Sequence, residues 1–202
     1  MKKLFAILAV VALTTTISFA QVQHGVKAGF NSAAIGSSDA DWNEALSSKM
    51  GMQFGYAVNI PFGDVVQLRT GALYSQKGAA LDFGEGMSGT IAVDYLEIPT
   101  DFAFMLGGGG FSLSGGPYFA FLMSAKVKDD DGDSDDMEDV SAMDIGLNFG
   151  ASFTIAESMI IDARYGMGLM NVNSDADVLD GDDVWLNGCL SVSFAYMFGG
   201  GY

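Results

Sequence analysis

Histidine and cysteine each occur once in this chain, as His24 and Cys189, and proline occurs three times. A lone cysteine forms no internal disulfide and offers no thiolate cluster, so Cys189 reads as a small residue packed in a strand. One histidine supplies neither a His-based zinc site nor the partner set of a Ser-His-acid hydrolase. Basic residues are scarce as well, nine Lys and Arg against 25 Asp and Glu. Without Lys2 and Lys3, which lie in a segment expected to be removed, seven remain and the formal charge is about −18. That balance argues against nucleic acid, whose phosphates need a basic surface. Long apolar runs are missing too: residues 4–13 form the longest, too short for a transmembrane anchor, and no stop-transfer charges follow.

What the chain does have is glycine, 27 residues of it, together with many aromatics, a composition that favours strands and turns over helices. Its start reads as a processing segment. Lys2 and Lys3 make a positive region, Leu4 to Leu13 an apolar core, and Ser18-Phe19-Ala20 a small-x-small cleavage site. Residues 1–20 are therefore expected to be a cleaved signal peptide and residues 21–202 a single domain. No Cys follows the cleavage site, which argues against a lipoprotein anchor.

Between Met50 and Ile60 every even position is large and apolar (Met50, Met52, Phe54, Tyr56, Val58, Ile60), while the odd positions are small or polar. A period of two is that of an extended strand. The pattern recurs over about 26–30, 66–74, 96–106, 111–123, 145–155, 159–169 and 186–198, giving eight strands. Polar or acidic stretches at 32–48, 77–92, Asp129 to Asp139 and 171–183 alternate with short turns at 61–64, 107–110 and 156–158. Such alternation predicts an all-β, eight-stranded antiparallel up-and-down barrel with loops on one rim and turns on the other. Both termini then fall on the turn side, which is periplasmic in outer-membrane barrels.

A soluble lipocalin-type barrel would show the same period with its faces exchanged, and volume decides between the two. Eight strands enclose a space only just wide enough for side chains. The bulky face carries five or six large residues on most strands, too many for that space; the other, mostly Gly, Ala, Ser and Asn, fits. The bulky face is therefore expected outside, an intolerable patch in water but the required surface in lipid. No charged residue falls on it, and Tyr56, Tyr74, Tyr165, Tyr196 and Phe198 suit an interfacial girdle. Matching outward faces across the 107–110 turn pairs Leu106 with Phe111 and Pro99 with Tyr118, and so sets Pro99 beside Pro117. Two residues without N–H donors predict a bulge or a hydrogen-bond gap there.

Asp94-Tyr95-Leu96-Glu97-Ile98-Pro99 resembles the PorT-like outer-membrane β-barrel family, in which a Tyr-Leu-Glu-Ile-Pro run marks a central strand. Gly71-Ala72-Leu73-Tyr74-Ser75-Gln76-Lys77-Gly78, Gly115-Gly116-Pro117-Tyr118, Asp144-Ile145-Gly146-Leu147 and Asp162-Ala163-Arg164-Tyr165 extend the likeness over nearly the whole chain after residue 20. It implies a small barrel of Gram-negative outer membranes with polar strand residues facing the lumen. The family's name-giving member is associated with protein secretion. Outer-membrane barrels commonly end on an aromatic residue; Tyr196-Met197-Phe198 fits, and Gly199-Gly200-Gly201-Tyr202 runs past it.

No residue here is assigned a catalytic, cofactor-binding or metal role. His24 precedes the first strand on the turn side. The run Asp129-Asp130-Asp131-Gly132-Asp133-Ser134-Asp135-Asp136 fails the EF-hand spacing, because Gly132 at position six would put Val127 at position one. It reads as a solvated acidic loop, with an irregular divalent-cation site as the alternative. Glu97, Asp101, Asp144 and Asp162 share the polar face with Lys27, Arg69, Lys126 and Arg164. Near-balanced charge in a narrow barrel predicts a structural ion-pair network and a plugged lumen. The expected task is structural, adhesive or interactive and non-enzymatic, with a secretion or envelope-assembly component as the alternative. The expected partners are outer-membrane lipid, and envelope or secretion proteins meeting the acidic outer loops.

Overall fold

The computed structural model describes residues 22–39, 44, 46–82, 88–129, 134–137, 139–155, 158–174 and 184–198. The expected signal segment at 1–20, positions 130–133 and 138 of the acidic stretch 129–139, positions 175–183 of the stretch 171–183, positions 156–157 of the last short turn and the tail at 199–202 lie outside the described residues. The strands are β1 (Gln23–Ser37), β2 (Leu46–Phe62), β3 (Val66–Asp82), β4 (Ser88–Met105), β5 (Phe111–Asp129), β6 (Ser134–Asp136), β7 (Met143–Ile155), β8 (Met159–Gly168) and β9 (Trp185–Phe198). All neighbours are antiparallel. β1 pairs with β9, β4 with β5 and β5 with β7, so eight strands close into a ring, and three-residue β6 is an appendage on β5. No helix among the described residues is long and apolar enough to cross a membrane; the apolar surface that meets lipid is made by strands.

Closure abolishes sheet edges. The turns that allow it are glycine-dependent: Gly63, Gly107 and Gly110 hold positive φ angles of 79°, 69° and 77°, a region an L side chain rarely adopts. Met50, Met52, Phe54, Tyr56, Phe102, Phe104, Phe149 and Phe194 point outward and are exposed, whereas Gln53, Leu73, Tyr118, Asn148 and Asp144 point inward and are buried. The bulky face is outside, as the volume argument requires.

Two expected loops are mostly strand. The stretch 32–48 continues β1 to Ser37 and begins β2 at Leu46, and 77–92 extends β3 to Asp82 and begins β4 at Ser88. Their periodicity persists with its hydropathy reversed. Here Ala33, Ile35, Ala79, Leu81, Ile91 and Val93 face inward and are buried, while Gln76, Thr90 and Lys126 are only partly covered. Above the lipid the outer face meets water, so the apolar residues turn to the interior.

Lys126 is a second correction. It was expected in the lumen, but the β4–β5 register slips between Asp94 and Tyr95: Asp94 opposes Ser124 whereas Tyr95 opposes Leu122. The extra residue inverts every later side chain of β5. Ala125 faces inward and Lys126 outward, where it meets Asp136 at 3.6 Å. The proline expectation holds as a gap. Pro99 opposes Tyr118, the ladder is interrupted at Thr100 and Asp101, and it resumes in unchanged register at Phe102 and Gly115.

Candidate functional site

The lumen has two storeys. The storey nearer the turn rim is polar, because inward positions of the lipid-facing strands carry Lys27, Gln53, Arg69, Glu97, Asp101, Asn148, Asp162 and Arg164. Arg164 on β8 is its hub, reaching Glu97 at 3.1 Å, Asp101 at 3.2 Å and Gln53 at 3.3 Å. Asn148 donates to Asp101 at 3.1 Å, and Lys27 holds Asp162 at 2.6 Å. Arg164, Glu97 and Asp101 are each less than a tenth exposed, so their charges are stabilised by one another rather than by water.

Arg69 departs from expectation. Among the described residues it makes no ion pair; its guanidinium donates to the hydroxyls of Ser152 and Ser112, which also share a hydrogen bond with each other at 2.7 Å. Its place among the cations is taken by Lys77, which the sequence pattern had left in a loop. Lys77 is buried, lies 2.9 Å from Glu97 and 3.9 Å from Asp144, and sits over the Tyr118 ring at 4.3 Å and the Tyr95 ring at 5.5 Å. The two rings supply π faces where a second full set of carboxylates would not fit. Tyr118 donates to Asp144 at 2.8 Å and Asn187 does so at 3.1 Å. All four carboxylates of the expected set are thus engaged with cations or hydrogen-bond donors, although Asp144 Oδ1 is buried without a hydrogen-bond partner among the described residues.

The outer storey is apolar. Ile35, Leu81, Ile91, Val93 and Tyr95 of the wall pack against Val140 and Val172, which come from the segments after β6 and β8. Those segments are tied across the mouth. Val140 bridges Asn173, Ser141 N–H donates to Val172 O at 2.8 Å, and Val172 N–H donates to Trp185 O at 2.8 Å. An apolar pocket of about 230 Å³, lined by Ile35, Ile91, Val93, Val140, Val172 and Trp185, is left beneath them. The hydropathy reversal in 32–37 and 79–93 is the sequence signal for this storey.

His24 lies within β1, not before it, and points outward, where its Nδ1 and the Tyr56 hydroxyl lie 2.8 Å apart and the two rings stack. It belongs to an aromatic band with Tyr196 and Phe198 near the turn rim. Cys189 is buried beside Ser191, as a packed strand residue. No group of three or more potential metal ligands occurs among the described residues.

The arrangement has counterparts. A family model described as outer membrane protein beta-barrel domain matches residues 19–174. The structure is similar to that of Ail, the attachment invasion locus protein of Yersinia pestis, solved alone and in complex with the heparin analogue sucrose octasulfate. The TM-score is 0.51 and the identity 15%, over 88% of this chain and 99% of that one. It is also similar to Neisserial surface protein A, at TM-score 0.55 and 13% identity over 87% of this chain and 97% of the other. At such identities the likeness is one of fold. A search of curated proteins found no significant sequence match.

Proposed function

The chain belongs to the outer membrane protein β-barrel domain family and is an integral barrel of the outer membrane; from that premise we propose that it is non-enzymatic and acts at its loop-side rim, as an adhesive or interaction platform anchored by a filled barrel. One observation carries this reading. The interior is crossed by the Arg164 and Lys77 networks and then by the apolar storey, whose pocket lies closed beneath the segments at the mouth, leaving the rim as the place where the molecule meets others. Strands β2–β5, of 17 to 19 residues each, form a tall wall whose upper part is backed by the apolar cluster of the outer storey, so what it presents is a fixed surface. The name of the attachment invasion locus protein, and its complex with a heparin analogue, support an attachment role by analogy. In the same proposal residues 1–20 are removed on export and both termini of the barrel are periplasmic.

Kinship with PorT-like barrels is a finer proposal. It draws on the Tyr95-Leu96-Glu97-Ile98-Pro99 run, whose inward members Tyr95 and Glu97 hold the lumen together while Leu96 faces outward. The run explains architecture, and a secretion role would have to be exercised at the rim. Affinity purification from detergent-solubilised membranes separates the two readings. An adhesin expressed on intact cells should raise their retention on immobilised host-type or neighbouring-cell surfaces and co-purify with no stoichiometric envelope complex. Reproducible recovery of a stoichiometric envelope complex, with no gain in retention, would replace the adhesive reading by the secretion one.

A further inference from the structure

Cations are so few that their placement is informative. Seven lie after residue 20, and four of them, Lys27, Arg69, Lys77 and Arg164, are spent inside the lumen. The other three, Lys49, Lys126 and Lys128, line one groove on the outside of the tall wall. The register builds it. Thr90 opposes Lys128, Ala92 opposes Lys126 and Asp94 opposes Ser124, so the two lysines stand on the same face of β5 beside a row of small residues on β4. Gly78 and Ala80 continue that low floor on β3, opposite Ala92 and Thr90. Lys49 reaches in from β2 and touches the Lys77 carbonyl oxygen at 3.4 Å.

Two acids among the described residues reach it. Asp94 accepts from the Tyr74 hydroxyl, and Asp136 faces Lys126 across an exposed 3.6 Å. Lys49 and Lys128 form no ion pair with any acid among the described residues. Partial burial holds the Lys49 ammonium below the usual lysine range, an effect Asp94 counters and the nearby Lys128 charge reinforces. An anion bound between them would relieve that repulsion. In a chain of formal charge −16, these three are the outward cations after residue 20, and they stand together in one groove.

Position identifies the occupant. Directly toward the turn rim on the same strands, Leu96, Phe121 and Met123 are exposed members of the apolar belt, with Tyr74 at its margin. The groove therefore sits where the hydrocarbon layer ends and headgroups begin, with long lysine side chains able to reach a phosphate at that level. We propose that the Lys49–Lys126–Lys128 groove binds the phosphate of a phosphorylated outer-leaflet lipid whose acyl chains lie on the Leu96, Phe121 and Met123 belt. This rests on the reading that the loop-side rim faces outward from the cell.

The test uses the intact folded barrel in detergent and native mass spectrometry with two probes, diphosphoryl lipid A and its dephosphorylated form. The diphosphoryl form should be retained about tenfold better, a preference equivalent to one decade of affinity. Lys126→Gln with Lys128→Gln should abolish it, and Lys126→Arg with Lys128→Arg should keep it; the heat-dependent SDS mobility shift shows that each variant has folded. Equal retention of both lipids, or a preference that survives the glutamine pair, overturns the proposal. So does full competition by millimolar inorganic phosphate, which would mean a free-anion site, or binding of a soluble sulfated polysaccharide with no lipid preference. Labelling of the Asp135→Cys variant, at an exposed position of β6 outside the groove lining, by a membrane-impermeant maleimide on intact cells checks orientation separately. Labelling without lipid discrimination sinks the groove alone, and absence of labelling in a folded barrel sinks the orientation.

Discussion

At the scale of the residue, Arg164 does most to hold the interior together. Two carboxylates and an amide converge on it, and removing it would leave Glu97 with Lys77 alone and Asp101 buried with the Asn148 amide and no ion pair among the described residues. Arg164→Met should therefore cost about 3–5 kcal/mol, the usual penalty for orphaning a buried charge. Arg69→Met should cost clearly less, because Ser112 and Ser152 can still bond each other at 2.7 Å. Urea-dependent refolding into lipid vesicles measures both, and equal costs would mean that the guanidinium geometry described here is wrong. Much of this interior was legible in the alternation alone. Glu97, Asp101, Asp144, Asp162, Lys27 and Arg164 all lie where parity puts them. Parity fails only where the count slips: one bulged residue between Leu122 and Ser124 moves Lys126 from lumen to surface. Lys77 was missed for another reason, since the glycines and short residues after it look like a loop.

At the scale of the element, the strands outrun the lipid. Sequence patterns found their lower halves because large apolar residues alternate there with small ones. They lost the upper halves because the alternation changes sign once water replaces lipid outside. A different cause thins the ladder of β4, where Pro99 supplies no N–H and the pairing lapses at Thr100 and Asp101. Gly116 on β5 lies against this gap. A Cβ there would overlap the Thr100 carbonyl oxygen and press on the Asp101 Cα at 2.9 Å, both backbone-borne and unable to swing away. Gly116→Ala should thus destabilise by about 1–3 kcal/mol, the cost of overpacking. Gly36→Ala, at a position with nothing within 4 Å, should stay within about 0.5 kcal/mol of the parent. The midpoint of the folded-to-unfolded band shift in SDS gels over a urea series ranks the two. A tolerated Gly116→Ala would show that β4 and β5 stand further apart at the gap.

At the scale of the molecule, the barrel is lopsided. The 18 residues of β4 at roughly 3.3 Å each and a tilt of roughly 40° rise about 45 Å, whereas the ten residues of β8 rise about 25 Å, the height of an apolar band alone. The tall side stands clear of the membrane and the short side only crosses it. Segments from beyond β6 and β8 fold over the mouth onto the tall wall, with Val140 and Val172 packed on Ile91 and Val93. Below them Tyr95, Tyr118 and Leu73 are almost wholly buried, and below those the Arg164 network cross-links β2, β4 and β8 from within. An ion entering from the mouth would meet an apolar layer that offers no hydration, then a charged layer whose cations and carboxylates are paired with one another across the lumen. Opening either layer means breaking core packing or orphaning a buried charge, so the closed state is favoured by the same contacts that keep the barrel folded. The purified protein in a planar bilayer should therefore show no steady single-channel steps. If a conducting state exists at all, Arg164→Met should produce only brief, irregular openings as the barrel begins to fail. Reproducible unitary currents from the unmutated chain would require a continuous water path, which the Arg164 and Lys77 networks interrupt below the apolar pocket.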